Sequence, residues 1–259
     1  MSITARMFHG RDDRLGARLK WVQMSLCAWG DGFPSHRSIR KSLIFIDCWT
    51  DSQPCTSEAV QDGGMHRPLL FTPADDAMTA PVLGGTAWLD VRTPWPTSIH
   101  GHALLHLASF PAAFIRSHVA GLYIAPGLSI SVFTPYVTSG EDRFEEAMSH
   151  GGRVIAHWPW HEPTVSPCVP IGPRRICAWT AMDEREALQG TSQIGGRPCW
   201  LQDDESEGQA FILQFDEFDL DRAAPTHRGI LIGGMGYLLL DRNIPSPSMD
   251  CGRFVIQTT

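Results

Sequence analysis

Residues 83–107 read LGGTAWLDVRTPWPTSIHGHALLHL, and residues 194–215 read IGGRPCWLQDDESEGQAFILQF. Both open with a glycine pair, place a tryptophan a few residues on, pass through a turn-rich stretch to another glycine, and end in an apolar run. Gly84 and Gly85 answer Gly195 and Gly196, and Trp88 answers Trp200 with one residue inserted. Gly101 answers Gly208, HALLHL stands opposite QAFILQF, and the runs close on Phe110 and Phe218. Further on, Gly121-Leu-Tyr answers Gly236-Tyr-Leu. A repeated turn, aromatic anchor and strand predict a duplicated supersecondary unit, because two copies packed together bury faces that neither buries alone. Leu104 to Leu107 and Phe211 to Gln214 are expected at equivalent positions, with Trp88 and Trp200 as largely buried anchors.

The rest of the chain fits a strand-rich α+β fold. KSLIFIDCW (41–49), RPLLFTP (67–73), VAGLYIAPGLSISVFTPY (119–136), RVIAHWPW, GYLLLD and GRFVIQTT have strand composition. Residues 102–107 read as a strand too, and residues 50–66 as loop. Leu15, Leu19, Val22 and Leu26 recur at helical spacing between Asp12 and Gly30, predicting a helix over 12–29. SGEDRFEEAMSHGG and TAMDEREALQG carry capping signals of short helices. Residues 1–80 are thus expected as a helix/strand extension packed on the core. Residues 81–259 form the duplicated domain, with repeats at about 82–136 and 193–259.

The chain has 259 residues, 43% hydrophobic and 19% charged, the composition of a soluble globular protein. No apolar run is long enough for a membrane span. The basic N-terminal stretch lacks the apolar segment of a secretory signal, which gives the expectation of a cytoplasmic protein. Seven cysteines (Cys27, Cys48, Cys55, Cys168, Cys177, Cys199 and Cys251) are irregularly spaced without a C-x-x-C pair, and read as reduced thiols.

Catalytic motifs are scarce. The sequence contains no G-x-S-x-G elbow, and IGGMG (232–236) lacks the lysine of a phosphate loop. His100, His102 and His106 would share one face of a strand and offer a zinc hydrolase its imidazoles, although no carboxylate lies within the segment. In HWPWHE, Pro159 works against the helix that would bring His157 and His161 together with Glu162. An aromatic, proline-stiffened loop of this kind, carrying Trp158 and Trp160, suits binding better than catalysis.

Charge is unevenly placed within a net −7. Residues 1–45 carry eight basic and three acidic side chains, whereas residues 183–221 carry eleven acids against Arg185 and Arg197. Asp203, Asp204, Glu205 and Glu207 fall between the second tryptophan and the next strand. In DEFDLD, an extended chain would point Glu217, Asp219 and Asp221 one way and Phe218 and Leu220 the other. Such a tract repels nucleic acid and attracts a basic protein.

The glycine–tryptophan phrase, the W-P pair at Trp95 and Pro96, and Gly195, Gly196, Pro198, Trp200, Gln202 and Gln214 in the second copy resemble the YwqG-like family of bacterial domains. The resemblance covers roughly residues 80–259. In the first run His106 or Ala108 stands near the family's usual glutamine. The resemblance implies an internally duplicated, antiparallel-strand-rich α+β fold and no known enzyme activity or cofactor.

Together these readings lead to the expectation of a non-enzymatic bacterial immunity protein without a cofactor. It would bind and neutralise a cognate toxin, a basic nuclease delivered by the type VI secretion system in interbacterial competition. Its contacts would come from the acids just named with Trp158 and Trp160, and it would bind neither nucleic acid nor membrane. The alternatives are a metal-dependent hydrolase using the histidine run and a regulatory adaptor.

Overall fold

The computed structural model describes residues 66–76, 78–137, 142–149, 151–179 and 191–259, and the backbone of 2–12 and 17–27. The expected strand at 41–49, the loop up to residue 65 and the helix of TAMDEREALQG lie outside the described residues. The chain divides into two units, Met1–Val60 and Gln61–Thr259.

In the first unit, β1 (Ser2–Asp12) and β2 (Ala17–Cys27) pair antiparallel from Ser2 opposite Cys27 to Asp12 opposite Ala17. The expected helix over 12–29 is therefore not formed. Leu19, Val22 and Leu26 stand opposite Gly10, Met7 and Ile3. Helical spacing of a few aliphatics is weak evidence when the preceding segment offers a complete ladder partner, and cross-strand pairing overrides local propensity.

The second unit is built on one ten-stranded sheet. Its strands are β3 (Arg67–Pro73), β4 (Val82–Leu83), β5 (Leu105–Pro111), β7 (Ser129–Thr134), β8 (Arg153–His157), β9 (Arg174–Ala178), β10 (Gln193–Ile194), β11 (Ala210–Asp216), β12 (Met235–Leu240) and β14 (Gly252–Gln257). They run in the order β14-β12-β11-β10-β3-β9-β4-β5-β7-β8, every neighbouring pair antiparallel. The sheet is nearly closed. Ala156 exchanges backbone hydrogen bonds with Ser248, and the Cys251 amide donates to the Val154 carbonyl, so the two ends meet. β6 (Tyr123–Ile124) and β13 (Asn243–Ile244) form a small parallel pair, and α1 (Ala112–Arg116), α2 (Asp142–Met148) and α3 (Glu217–Ala223) are short. No described helix is long and apolar enough to cross a membrane.

The expected strands in RPLLFTP, RVIAHWPW, GYLLLD and GRFVIQTT are present as β3, β8, β12 and β14, the last three ending before the expected runs do. Residue 102 is not yet in a strand, since β5 starts at Leu105. DEFDLD is not extended either: Asp216 caps α3 by accepting from the Phe218 and Asp219 amides, which buries Leu220 and leaves Phe218 exposed.

About the β3–β9 pair the sheet has two five-strand halves with matching pairings. β5 and β11 each run into a short helix, and each carries a bulge, at Leu107 and Ile212. The carbonyls of those two residues accept from the Gly84 and Gly195 amides at 2.7 and 2.8 Å. Gly84 needs its positive φ of 65°, and a Cβ there would lie 2.6 Å from the Ile171 carbonyl oxygen. Gly196, at φ 68°, would meet the His66 backbone at 3.1 Å. These ladders put Phe110 in the place of Phe215 rather than Phe218, and Ser109 in the place of Gln214. Tyr123 opens β6 whereas Tyr237 is central in β12, so that expected match does not hold.

The main core takes residues from both halves, with Phe110, Phe254 and Phe71 around Phe215. The opposite face carries a smaller apolar cluster in each half: Ala87, Leu89, Leu104, Phe133 and Ile155 in one, and Phe211, Met235, Tyr237, Leu239 and Val255 in the other. Trp88 and Trp200 are partly buried, and the Trp88 indole nitrogen is itself buried. Trp200 packs against the second cluster, whereas the tryptophan packed against the first is Trp95.

Candidate functional site

On the face opposite the core, each half presents a row of buried polar side chains crossing three strands. In the second half the row is Gln214, Tyr237 and Gln257, all fully buried. They hold the segment between Cys199 and Glu205 by its backbone. Gln214 Oε1 accepts from the Cys199 amide at 2.9 Å, and the Tyr237 hydroxyl donates to the Cys199 carbonyl at 2.6 Å. Gln257 Oε1 accepts from the Leu201 and Gln202 amides, while its Nε2 donates to the Asp203 carbonyl and Glu205 Oε1. Burial pushes the Tyr237 hydroxyl pKa up, so it stays a donor.

This fixes the acidic tract as a rigid strap. Arg253 donates to the Glu205 carbonyl and pairs with Glu207 at 2.9 Å, and Asp204 accepts from the Ser206 amide. Asp203, Asp204 and Glu207 face solvent. The other acids of the expected patch are engaged elsewhere. Glu217 accepts from the Leu231 and Gly233 amides, Asp219 from the Ser192 amide and Asp221 from the Gly229 amide. Burial raises the Glu217 carboxyl pKa, and neighbouring Asp221 adds to the shift. These three carboxylates position the ends of α3 and its neighbouring turns.

In the first half the corresponding row has two serines at its centre, takes in His106 as well, and bonds to itself. His106 Nε2 lies 2.8 Å from Ser109 Oγ, Ser109 Oγ lies 2.7 Å from Ser131 Oγ, and Ser131 Oγ lies 2.8 Å from His157 Nε2. At the two ends, His106 Nδ1 is 3.2 Å from the Gly85 carbonyl oxygen and His157 Nδ1 is 3.2 Å from that of Trp158. Burial pushes His106 down to about 4 and lowers His157 as well, so both imidazoles are neutral near pH 7. Sequence reading did not find this row. Its members are ordinary residues at alternate strand positions, and only the bulge at Leu107 and the strand register bring them into line.

A cleft of about 430 Å³ opens beside His157. Asp90, Arg92, Thr93 and Pro94 form one wall, the chain from Ile155 to Trp158 another, and Pro247 to Met249 the third. This size lies within the range of small-ligand sites. Asp90 and Arg92 pair at 3.0 Å, and the guanidinium holds the Asp90 carboxyl below its usual range. The Trp158 ring is 49% exposed. Behind it, a Cβ on Gly127 would sit 3.2 Å from the indole.

The other expected site residues are dispersed. His100 and His102 sit exposed in the turn before β5 with ring centres 6.5 Å apart, while His106 is buried within the strand. They share no strand face, and His102 lies instead 3.2 Å from buried Glu146. Among the described residues no three His, Cys, Asp or Glu side chains are grouped to hold a metal. Trp160 stacks near His161, which lies 3.7 Å from Glu162, and the Trp160 amide donates to the Trp88 carbonyl. Cys168, Cys177, Cys199 and Cys251 are free thiols. Compared with known proteins, the chain matches no protein-family model, no curated protein and no solved structure.

Proposed function

We propose that this chain is a non-catalytic binder of a basic protein, and specifically an immunity protein that neutralises a toxin nuclease delivered by a type VI secretion system. The observation that carries the reading is the acidic strap. Asp203, Asp204 and Glu207 project from a segment whose backbone is held by Gln214, Tyr237, Gln257 and Arg253. A pre-ordered loop loses little conformational freedom on binding, and a clustered negative field speeds encounter with a basic partner. A nuclease must be basic where it grips phosphate. Trp158, half exposed on a stiff segment, is an aromatic anchor of the kind that dominates interfaces, with Trp160 beside it.

We further infer that the two halves of the sheet arose by duplication, in keeping with the resemblance to YwqG-like domains. The paired bulges, the paired glycine amides and the two polar rows support this. On that reading one row became a clamp for the acidic strap, while the other kept a cleft.

The reading is tested by contact competition. A strain lacking the gene is expected to lose viability beside its parent, and only while the parent's type VI apparatus is active. Equal survival of the deletion strain in both settings removes the immunity reading.

A further inference from the structure

The first-half row makes contact at five places between the Gly85 and Trp158 carbonyls. Two neutral imidazoles and two hydroxyls bring one hydrogen each, so four hydrogens serve five contacts. One contact must join two acceptors. The three inner contacts are the short ones, at 2.7 to 2.8 Å, and the two carbonyl ends are both at 3.2 Å.

The two ends differ in surroundings. His106 is the more deeply buried of the two imidazoles, whereas His157 and Trp158 form a wall of the cleft. An unmet acceptor pair is costly when sealed in and is relieved where a donor can reach it. The hydrogens therefore run one way. His157 Nε2–H donates to Ser131, Ser131 to Ser109, Ser109 to His106 Nε2, and His106 Nδ1–H to the Gly85 carbonyl. His157 Nδ1 and the Trp158 carbonyl oxygen are left as two acceptors 3.2 Å apart at the cleft wall.

We propose that the cleft at His157 is a binding site for a primary ammonium group, which donates to this acceptor pair. The cleft supplies the rest of what such a cation needs. Asp90 contributes a carboxylate, Ser248 a hydroxyl and Trp158 an indole for cation–π contact. Arg92 now pairs with Asp90, but its side chain is 87% exposed and its bond is a surface ion pair that an incoming cation can displace. The ligand is a lysyl side chain of the basic partner, an assignment that rests on the binder reading. A free diamine offers the same group, and the ammonium site itself does not depend on which of them fills it.

Protonating His157 would place a hydrogen on Nδ1 and abolish the acceptor pair. Burial lowers the pKa of this imidazole, so the loss occurs below the usual histidine range. The other titratable or charged groups facing the row and the cleft are His106, Asp76 near His106, and the Asp90–Arg92 pair.

Long-range nitrogen–proton spectra of the imidazoles in the full chain at pH 7.5 test the hydrogen count directly. The expected pattern is Nε2–H for His157 and Nδ1–H for His106, and Nδ1–H on His157 overturns the proposal. The same His157 signals then report binding. Nα-acetyl-lysine N-methylamide is expected to shift them, and its uncharged norleucine analogue and its trimethylated analogue, which lacks N–H donors, to bind at least about tenfold more weakly. Asp90→Asn is expected to weaken the lysine compound by about tenfold. Cadaverine binding without the lysine compound overturns the partner's lysine as the source, and binding of neither overturns the site. The competition experiment judges the immunity reading separately, because these probes need no toxin.

Discussion

The two halves of the sheet place polar rows at corresponding registers and use them differently. In the second half, long side chains at Gln214, Tyr237 and Gln257 reach away from the sheet and grip a backbone. In the first, the matching positions hold Ser109, Ser131 and His157; the two serines are short, and all three bond along the row with His106. Side-chain length at these registers thus decides whether the face carries a fixed strap or borders a cleft. A strap suits presentation of charge, while a cleft with an acceptor-rich wall suits capture of a donor.

The clamp should be the more fragile of the two rows. Tyr237 is fully buried, packs against Trp200 at 4.5 Å and bonds two backbone groups of the strap. Tyr237→Ala is expected to lower stability by about 3–5 kcal/mol, the range for large buried aromatics, as read by urea unfolding. Tyr237→Phe keeps the packing and should cost about 1–2 kcal/mol. Equal losses for the two variants would mean that the hydroxyl, not the ring, holds the strap.

The first-half row should show itself through pH. His106 and His157 have folded pKa values below the unfolded value, so each binds its proton more readily in the unfolded chain. Their contribution to stability is full above about pH 6.5 and is lost as pH falls toward 4, amounting to about 3 kcal/mol for His106 alone. Denaturant midpoints measured from pH 7.5 to 4.5 should fall steeply for the wild type and less so for His106→Phe, whose replacement matches Phe211 on the other half. Parallel curves would detach the pH response from this row. Ser131→Ala breaks the row in its middle and is expected to cost about 1–3 kcal/mol at pH 7.5, less than the truncation of Tyr237.

Much of the frame was legible in the sequence, because glycine pairs, tryptophans and apolar runs report local backbone needs. Gly84 and Gly195 take φ values that other residues avoid, and the runs after them are the buried strands β5 and β11. What escaped depended on partners distant in the chain. The aliphatics at 19, 22 and 26 fit a helix until β1 supplies their ladder. Asp216 turned the acidic run after β11 into α3 by capping it, and so committed Glu217, Asp219 and Asp221 to nearby amides. The histidine triplet failed for a related reason, since β5 begins after His102 and only His106 is carried onto the sheet. The row it joins spans residues 106 to 157, and no spacing rule links those positions without the bulge.

The smallest effect on the fold, and the sharpest contrast between the halves, is expected from the strap's outward carboxylates. Glu205 must be spared, because its Oε1 accepts from Gln257 and an amide there could set two donors against each other. Asp203→Asn, Asp204→Asn and Glu207→Gln combined change charge by three while leaving the backbone clamp of Gln214, Tyr237 and Gln257 in place. The Glu207–Arg253 pair is surface-exposed on the Glu207 side, and exposed pairs contribute only about 0–1 kcal/mol. Thermal midpoints should therefore stay close to wild type. Protection in the competition assay should weaken, and association with the toxin, once isolated, should slow by about 10-fold or more at low salt. That difference should shrink as salt screens the field. Removing the Trp158 ring tests the other half, and its effect should persist at high salt because packing, unlike a long-range field, is not screened. A triple variant that associates as fast as wild type at low salt would move the interface off the strap and toward the cleft.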